Sequence, residues 1–266
     1  MNQTTVVSFF LLGFQNNQLV NTMFFIIILW IYILTLVGNF LLIILVVTVP
    51  ALRSPMYVLL SQLSLSDILL TTNITPDLLR FLLSGGGKIY LSDCLTQFFF
   101  YCVSTSIECF LLTVMSYDRF LAICNPLRYG SIMGFKFCLS MNVIFCMAFA
   151  LFPVCFIIFT YISIGLAILR ITSTNGRHKA FSTCSSHLIV VCTYYGTLVT
   201  VYMVPSKGPK VNMNKMLSLI YIVGTPFFNP IVYSLRNNEI KITLQKCMQN
   251  LLVIHFYSVK SHKHPF

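Results

Sequence analysis

Two acidic residues inside long apolar segments are the first candidates for chemistry. Asp67 lies in the second such segment of the chain and Glu108 in the third. A charge in an apolar environment is costly and is often retained for function. Two inward carboxyl groups on neighbouring helices can bind a sodium ion or share a proton; alternatively, each is protonated and hydrogen-bonded to nearby Ser or Asn side chains. Asn39 and Asn229 are candidate partners in the same interior network.

An acid–base pair, Asp118–Arg119, ends the apolar run that carries Glu108. Such a pair can act as a switch, in which the acid holds the arginine at rest and releases it toward a partner that enters from the cytoplasm. The alternative is an ordinary pair at a helix end whose charged heads snorkel to the surface. The residues alone favour the second interpretation.

A proline and two polar residues interrupt the last apolar segment, which contains Asn229-Pro230-Ile231-Val232-Tyr233. A proline inside a helix frees a backbone carbonyl and makes a kink. A kink with polar partners is a natural hinge, and a static bend is the equally simple alternative.

Two further groups are weaker candidates. Cys184 and His187 are three residues apart, so they lie on one side of a helix, but two ligands are too few for a metal site. Residues in three other places can line a mostly apolar pocket for a small ligand, or can simply pack between helices. These are Tyr101, Cys102, Thr105, Ser106, Tyr195, Leu198, Val199, Tyr202, Ser218, Leu219 and Ile222.

The composition predicts that membrane-spanning helices position all these residues. The chain is 57% apolar and only 9% charged, whereas soluble domains carry about a quarter charged residues. The net charge is +11, but the basic residues lie mostly in short loops between apolar runs, which is the positive-inside pattern of a polytopic membrane protein. We therefore expect an all-α membrane helix bundle in a lipid bilayer, with no nucleic acid as partner.

The apolar segments divide the chain into an N-terminal region (1–23), a helix bundle (24–235) and a tail (236–266). The clear spans are 24–48, 56–83, 95–117, 188–204 and 216–235, and a turn is expected at 85–88. Asn2 opens a glycosylation pattern, which suits an N-terminus outside the cell. In the tail, Ile240 and Leu244 recur at helical spacing and predict a short amphipathic helix on the inner membrane surface.

The apolar stretch 137–169 is anomalous in length. As one straight helix it would be about 50 Å long, against a hydrocarbon core of about 30 Å. Basic residues stand on both sides of it, among them Arg128 and Arg170, so both ends favour the cytoplasm and a short hairpin. Hydropathy alone favours a single tilted span, and both alternatives stay open.

Six ordered blocks of sequence resemble vertebrate olfactory receptors, which are rhodopsin-like G-protein-coupled receptors. The blocks are Gly38-Asn39, PMYVLLSQLSLSDI at 55–68, LSDCLTQFFF at 91–100, MSYDRFLAICNPLRY at 115–129, KAFSTCSSHL at 179–188 and PFFNPIVYSLRNNEIK at 226–241. The resemblance implies a seven-helix odorant receptor, not an enzyme, that signals through a stimulatory olfactory-type G protein. It also implies functional roles for Asp67, Glu108, Asp118, Arg119, Asn229, Pro230 and Tyr233.

The chain departs from that family pattern at its centre. The family has a long extracellular loop between its fourth and fifth helices, and here the loop is missing, with those two helices truncated and joined directly. The resemblance implies that the cysteine at the position of Cys94 forms a disulfide to that loop, so its usual partner is absent. We therefore weigh three functions: an odorant receptor in the plasma membrane, a truncated product that is retained or pairs with intact receptors, and a transporter or channel. The transporter is the least favoured, because no internal repeat is evident.

Overall fold

Six α-helices and two short strands organise the residues that the computed structural model describes, which are 7–12, 18–52, 54–124, 151–203, 218–236, 240–246 and 249. The helices are α1 (Gln18–Thr48), α2 (Pro55–Ser84), α3 (Leu91–Cys124), α4 (Leu151–Arg170), α5 (Thr174–Met203) and α6 (Thr225–Arg236). A π-helical turn, Ile220–Gly224, leads into α6. Residues 240–246 are also helical.

The helices pack in a ring that α6 closes. α1 packs on α2, α2 on α3 and α3 on α4, while α6 packs on both α5 and α1. α3 also contacts α5, so it lies at the centre of the bundle. This central position explains why the residues of α3 from Cys109 to Ser116 are all buried.

The bundle has a polar interior and an apolar exterior. Asn39, Asp67 and Asp118 are fully buried, whereas Trp30 and Phe159 are more than half exposed. In water this distribution would leave an apolar surface far larger than soluble monomers expose. It is the distribution expected when lipid surrounds the helices and the polar groups face protein.

Two described helices, α1 and α3, are long and apolar enough to cross a membrane by length and composition alone. α2 is nearly as long, at 30 residues, but it carries buried polar residues such as Ser64, Ser66 and Thr71. These polar side chains lower the mean hydropathy of α2. They are tolerated in a membrane helix because they face neighbouring helices rather than lipid.

The sequence signals at the ends of α2 explain its bounds. Ser54 is extended and Pro55 takes the first helical position, where a missing N–H is harmless. At the other end Gly85 adopts a left-handed conformation (φ +69°), and its N–H donates to the carbonyl of Phe81.

The expected turn at 85–88 is wrong beyond Gly85, because β2 (Gly86–Tyr90) begins there. It pairs antiparallel with β1 (Ser8–Leu12), with Leu12 opposite Gly86. A Cβ at Gly87 would lie 2.6 Å from the ring of Phe81, so a larger residue there would require the ring or the strand to shift.

We call the end of the bundle that carries the strands the strand end, and the opposite end the Arg119 end.

The anomalous stretch 137–169 falls only partly within the described residues. α4 begins at Leu151, runs through Pro153 in its first turn and ends at Arg170. Twenty residues make a helix about 30 Å long, which matches a hydrocarbon core. Residues 137–150 lie outside the described part, so the choice between one span and a hairpin stays open.

Candidate functional site

A carboxyl–amide pair joins α2 to α6 in the buried interior. The Nδ2 of Asn229 donates to both carboxyl oxygens of Asp67, at 3.1 Å to Oδ1 and 2.9 Å to Oδ2. Asp67 is fully buried and Asn229 is nearly so. Pro230, which lies inside the continuous helix α6, is therefore next to the residue that ties α6 to α2.

A second set of contacts joins the same region of α6 to α1. The Nδ2 of Asn39 donates to the carbonyl of Pro226 at 3.1 Å and to the carbonyl of Thr35 at 3.0 Å. The neighbouring Gly38 faces the ring of Pro230, and a Cβ there would lie 3.1 Å from its Cγ. Gly38 thus permits the close approach that lets Asn39 reach α6.

Glu108 is the second acid of the interior. It is buried on α3 and lies within electrostatic range of Asp67. Its Oε1 has no hydrogen-bond partner among the described residues. The structure thus brings the two predicted acids into one interior region, and an ion or a shared proton between them remains a prediction.

At the Arg119 end, the predicted acid–base pair is closed. A guanidinium nitrogen of Arg119 lies 3.1 Å from Oδ2 of Asp118, whose side chain is fully buried, and the Arg119 side chain is only 14% exposed. A snorkelling arginine would keep its charged head in water. This geometry instead holds the charge largely inside the protein.

Two residues beside Arg119 form a contact that the sequence alone did not reveal. The Tyr161 hydroxyl of α4 lies 2.5 Å from Nδ1 of His187 on α5, and their rings are stacked with centroids 5.9 Å apart. Tyr233 of α6 is also buried and lies within electrostatic range of Tyr161 and Arg119. Tyr161 was missed because it stands in an unbroken apolar run, where its hydroxyl gives no periodic signal.

The contact of His187 with Tyr161 concerns the possibility that Cys184 and His187 bind a metal ion. Cys184 and His187 are both buried on α5, and Nδ1 of His187 is engaged by Tyr161. Across the ranges that the structure covers, there is no cluster of three or more His, Cys, Asp or Glu residues that could hold a metal ion.

The predicted pocket residues of α3 separate onto two sides of the helix. Tyr101 is half-buried and packs against the apolar core, and Thr105 is half-buried too. Cys102 and Ser106 are exposed. Tyr101 and Thr105 are therefore the better placed of the four to meet a ligand inside the bundle.

The predicted pocket residues of the other helices are only partly described. Tyr195 and Ile222 are half-buried against the same core as Tyr101. Leu219 instead packs with Ile28 and Leu79 of α1 and α2. Ser218 is half-buried. The side chains of Leu198, Val199 and Tyr202 lie outside the described part of the chain.

Near the strand end, α3 is fastened to α2. The side-chain amide of Asn73 donates to the carbonyl of Gln97 at 2.9 Å, and the amide of Gln97 donates to the carbonyl of Asn73 at 3.0 Å. Gln97 also donates to Asp77, which forms an ion pair with Arg80. Cys94, one turn away, is a half-buried free thiol.

Two family models match this chain. Residues 38–150 match the family "7 transmembrane receptor (rhodopsin family)", and residues 138–251 match the family "Olfactory receptor". The first match assigns the chain to the rhodopsin-like seven-transmembrane receptors, which agrees with the membrane helix bundle.

Individual relatives refine the assignment. The human olfactory receptor 10A7 is 38% identical over 309 residues, which covers 94% of this chain and 98% of that protein. The human olfactory receptor 11L1 is 37% identical and the mouse olfactory receptor 5P56 is 36% identical, each over 93% of this chain and at least 94% of the relative. This chain belongs to the olfactory receptor family, a family of multi-pass membrane receptors and not of enzymes.

The same alignments bear on the central departure. The match to olfactory receptor 10A7 extends over 309 residues, whereas this chain has 266. Residues of the relative must therefore face a gap in this chain, although nearly all of the relative is matched. This length difference agrees with an internal deletion.

Proposed function

We propose that this chain binds a small volatile or water-borne odorant and activates a heterotrimeric G protein of the stimulatory olfactory type. The observation that carries the proposal is the closed Asp118–Arg119 pair at the Arg119 end. Around it, α4, α5 and α6 contribute Tyr161, His187 and Tyr233. Four helices thus meet at one buried cation that a partner could reach if the helices separated.

The mechanism begins with a ligand among the half-buried residues nearer the strand end, such as Tyr101, Thr105 and Tyr195. A ligand shifts a conformational equilibrium only through its different affinity for the two states. Binding that favours a larger separation of α5 from α3 and α4 would draw His187 away from Tyr161. Arg119 would then leave Asp118 and meet the G protein.

The proline inside α6, at Asn229-Pro230, would serve as the hinge of this rearrangement. It is supported on one side by Asp67 and on the other by Asn39 and Gly38. A bound sodium ion or a shared proton at Asp67 and Glu108 would stabilise the resting arrangement, because two buried acids cannot both carry an uncompensated charge.

The topology that serves this function places residues 1–23 outside the cell, 24–235 in the plasma membrane and 236–266 in the cytoplasm. Asn2 would then carry a glycan, although it lies outside the described residues. In the tail, Ile240 is buried against the core while Lys241 and Lys246 are exposed. This arrangement suits a short helix lying on a negatively charged inner membrane surface.

The first test measures topology and signalling in the same cells. The chain would carry one epitope at each terminus, and staining before and after permeabilisation would report the side of each. Receptor topology requires the N-terminal epitope outside and the C-terminal epitope inside. Cyclic AMP would then be followed during exposure to an odorant panel, with Arg119→Ala as the matched variant; a response that survives this substitution contradicts the proposed switch.

A truncated, non-signalling product is the second candidate function. It is favoured by the free thiol of Cys94 and by the alignment to olfactory receptor 10A7 that is longer than the chain. In this case both epitopes stay inside the cell, or the chain reaches the surface only when an intact olfactory receptor is expressed with it. Surface staining with and without such a receptor separates the two candidates.

A further inference from the structure

The phenol of Tyr194 connects α5 to α3 near the middle of the bundle. Its Oη donates to the carbonyl of Thr105 at 3.0 Å. Because the hydroxyl proton is used there, the 3.0 Å contact with Sγ of Cys109 is an S–H donating to the phenol oxygen. Tyr194 is 1% exposed and Cys109 is buried too. One hydroxyl therefore makes two hydrogen bonds to α3.

The ring of Tyr194 is held independently of its hydroxyl. Its centroid lies 5.1 Å from that of Tyr195 and 5.7 Å from that of Tyr221. The hydroxyls of Tyr195 and Tyr221 make no hydrogen bond of standard geometry in the described part of the chain, although the first lies near Cys109 and the second near Thr105. Of these three neighbouring phenols, Tyr194 is the one whose hydroxyl makes hydrogen bonds of standard geometry to α3.

We infer that Tyr194 is a positioning residue that holds α5 against α3 in the resting receptor. This inference rests on the proposed function and names the regulation of the same site. Tyr195, a predicted ligand contact, packs edge-on against the ring of Tyr194. A ligand that moves Tyr195 would therefore displace Tyr194 and break its two hydrogen bonds to α3.

The size of the effect follows from hydrogen bonds between membrane helices. Such bonds change the ratio of two helix arrangements by about threefold to thirtyfold. Removal of the Tyr194 hydroxyl should raise the population of the open arrangement by a factor in this range.

The test compares Tyr194→Phe with Tyr221→Phe. Both substitutions remove one phenol oxygen and keep the ring, but only the first removes hydrogen bonds of standard geometry between α5 and α3. We expect Tyr194→Phe to raise basal cyclic AMP per surface receptor at least threefold and Tyr221→Phe to leave it unchanged. Cys109→Ala should give a smaller rise, and the double variant should not exceed Tyr194→Phe alone. Equal basal levels in the two tyrosine variants would overturn the inference.

A second readout does not depend on signalling. The purified full-length chain would react with a small maleimide, and mass spectrometry would follow the peptide that contains Cys109. Tyr194→Phe should accelerate modification of Cys109 at least threefold relative to Tyr221→Phe. If no variant raises cyclic AMP but Tyr194→Phe accelerates modification of Cys109, the proposed function is refuted and the link between α3 and α5 stands. If modification of Cys109 is unchanged, the link is refuted.

Discussion

The Arg119 end and the strand end of the bundle are built in different ways. At the Arg119 end, the Asp118–Arg119 ion pair of α3 lies near the Tyr161–His187 contact that joins α4 to α5. At the strand end, α3 is fastened to α2 through Gln97. Further along α3, Cys102 and Ser106 are exposed. Polar groups from α3, α4, α5 and α6 therefore gather at the Arg119 end, whereas the polar contact at the strand end joins two helices.

This comparison also separates two ways of holding a membrane helix. The interior uses fully buried polar side chains, such as Asp67 with Asn229. The strand end uses a part-buried polar contact between Asn73 and Gln97 and a short strand pairing in which β1 is largely exposed. Substitutions should therefore be more damaging in the first region than in the second.

The largest expected effect comes from Asn229→Ala. This change leaves the buried carboxyl of Asp67 without its amide partner, and an unsatisfied buried hydrogen-bonding group costs about 1–3 kcal/mol, and more when the group is charged. The purified protein should melt at a much lower temperature. The control is Asp67→Asn with Asn229→Asp, which exchanges the two groups and should recover part of the loss. An unchanged melting temperature for Asn229→Ala would mean that the pair does not hold α2 to α6.

The next largest effect is expected for Gly38→Ala. Its new Cβ would lie 3.1 Å from Cγ of Pro230, so α1 and α6 must move apart, and such overpacking destabilises by about 1–3 kcal/mol. Gly196→Ala is the matched control, because a Cβ there meets nothing within 4 Å. Thermal melting of the two variants in detergent should differ in sign, since alanine is the better helix former. Equal melting would refute the close approach.

A moderate effect is expected for Gln97→Leu at the strand end. The substitution removes the donor to Asn73 and Asp77, and interhelical hydrogen bonds in membrane proteins contribute about 0.6–2 kcal/mol. The melting temperature and the surface level should fall, but less than for Asn229→Ala. A fall as large as that of Asn229→Ala would contradict the division between the two regions.

The smallest effect is expected for Cys94→Ser. Because the thiol is free, its replacement should change stability by no more than about 0.5 kcal/mol, and a reducing agent should not alter melting of the unsubstituted chain. A membrane-impermeant maleimide should label Cys94 on intact cells if the chain reaches the surface. Loss of surface delivery in Cys94→Ser would instead reveal a disulfide partner.

The sequence predicted more of the Arg119 end than of the ligand side. Asp118, Arg119 and Tyr233 stand out because polar residues inside apolar segments are rare, and all three lie in or beside one buried cluster. The predicted pocket rested on position along each segment, which does not tell which side of the helix faces the bundle. Hence Cys102 and Ser106 of that set lie exposed, whereas Tyr101 and Thr105 are half-buried.

By itself the sequence determined the class of fold, the location of most spans and the buried acids, because the low charge and the long apolar runs leave membrane helices as the stable solution. Only the tertiary structure decided which polar groups meet. It paired Asp67 with Asn229, Tyr161 with His187 and Tyr194 with Thr105. It also placed a strand beside Phe81 where a turn is expected. The physical reason is that each of these contacts joins segments far apart in the chain, so neither periodicity nor local propensity encodes it.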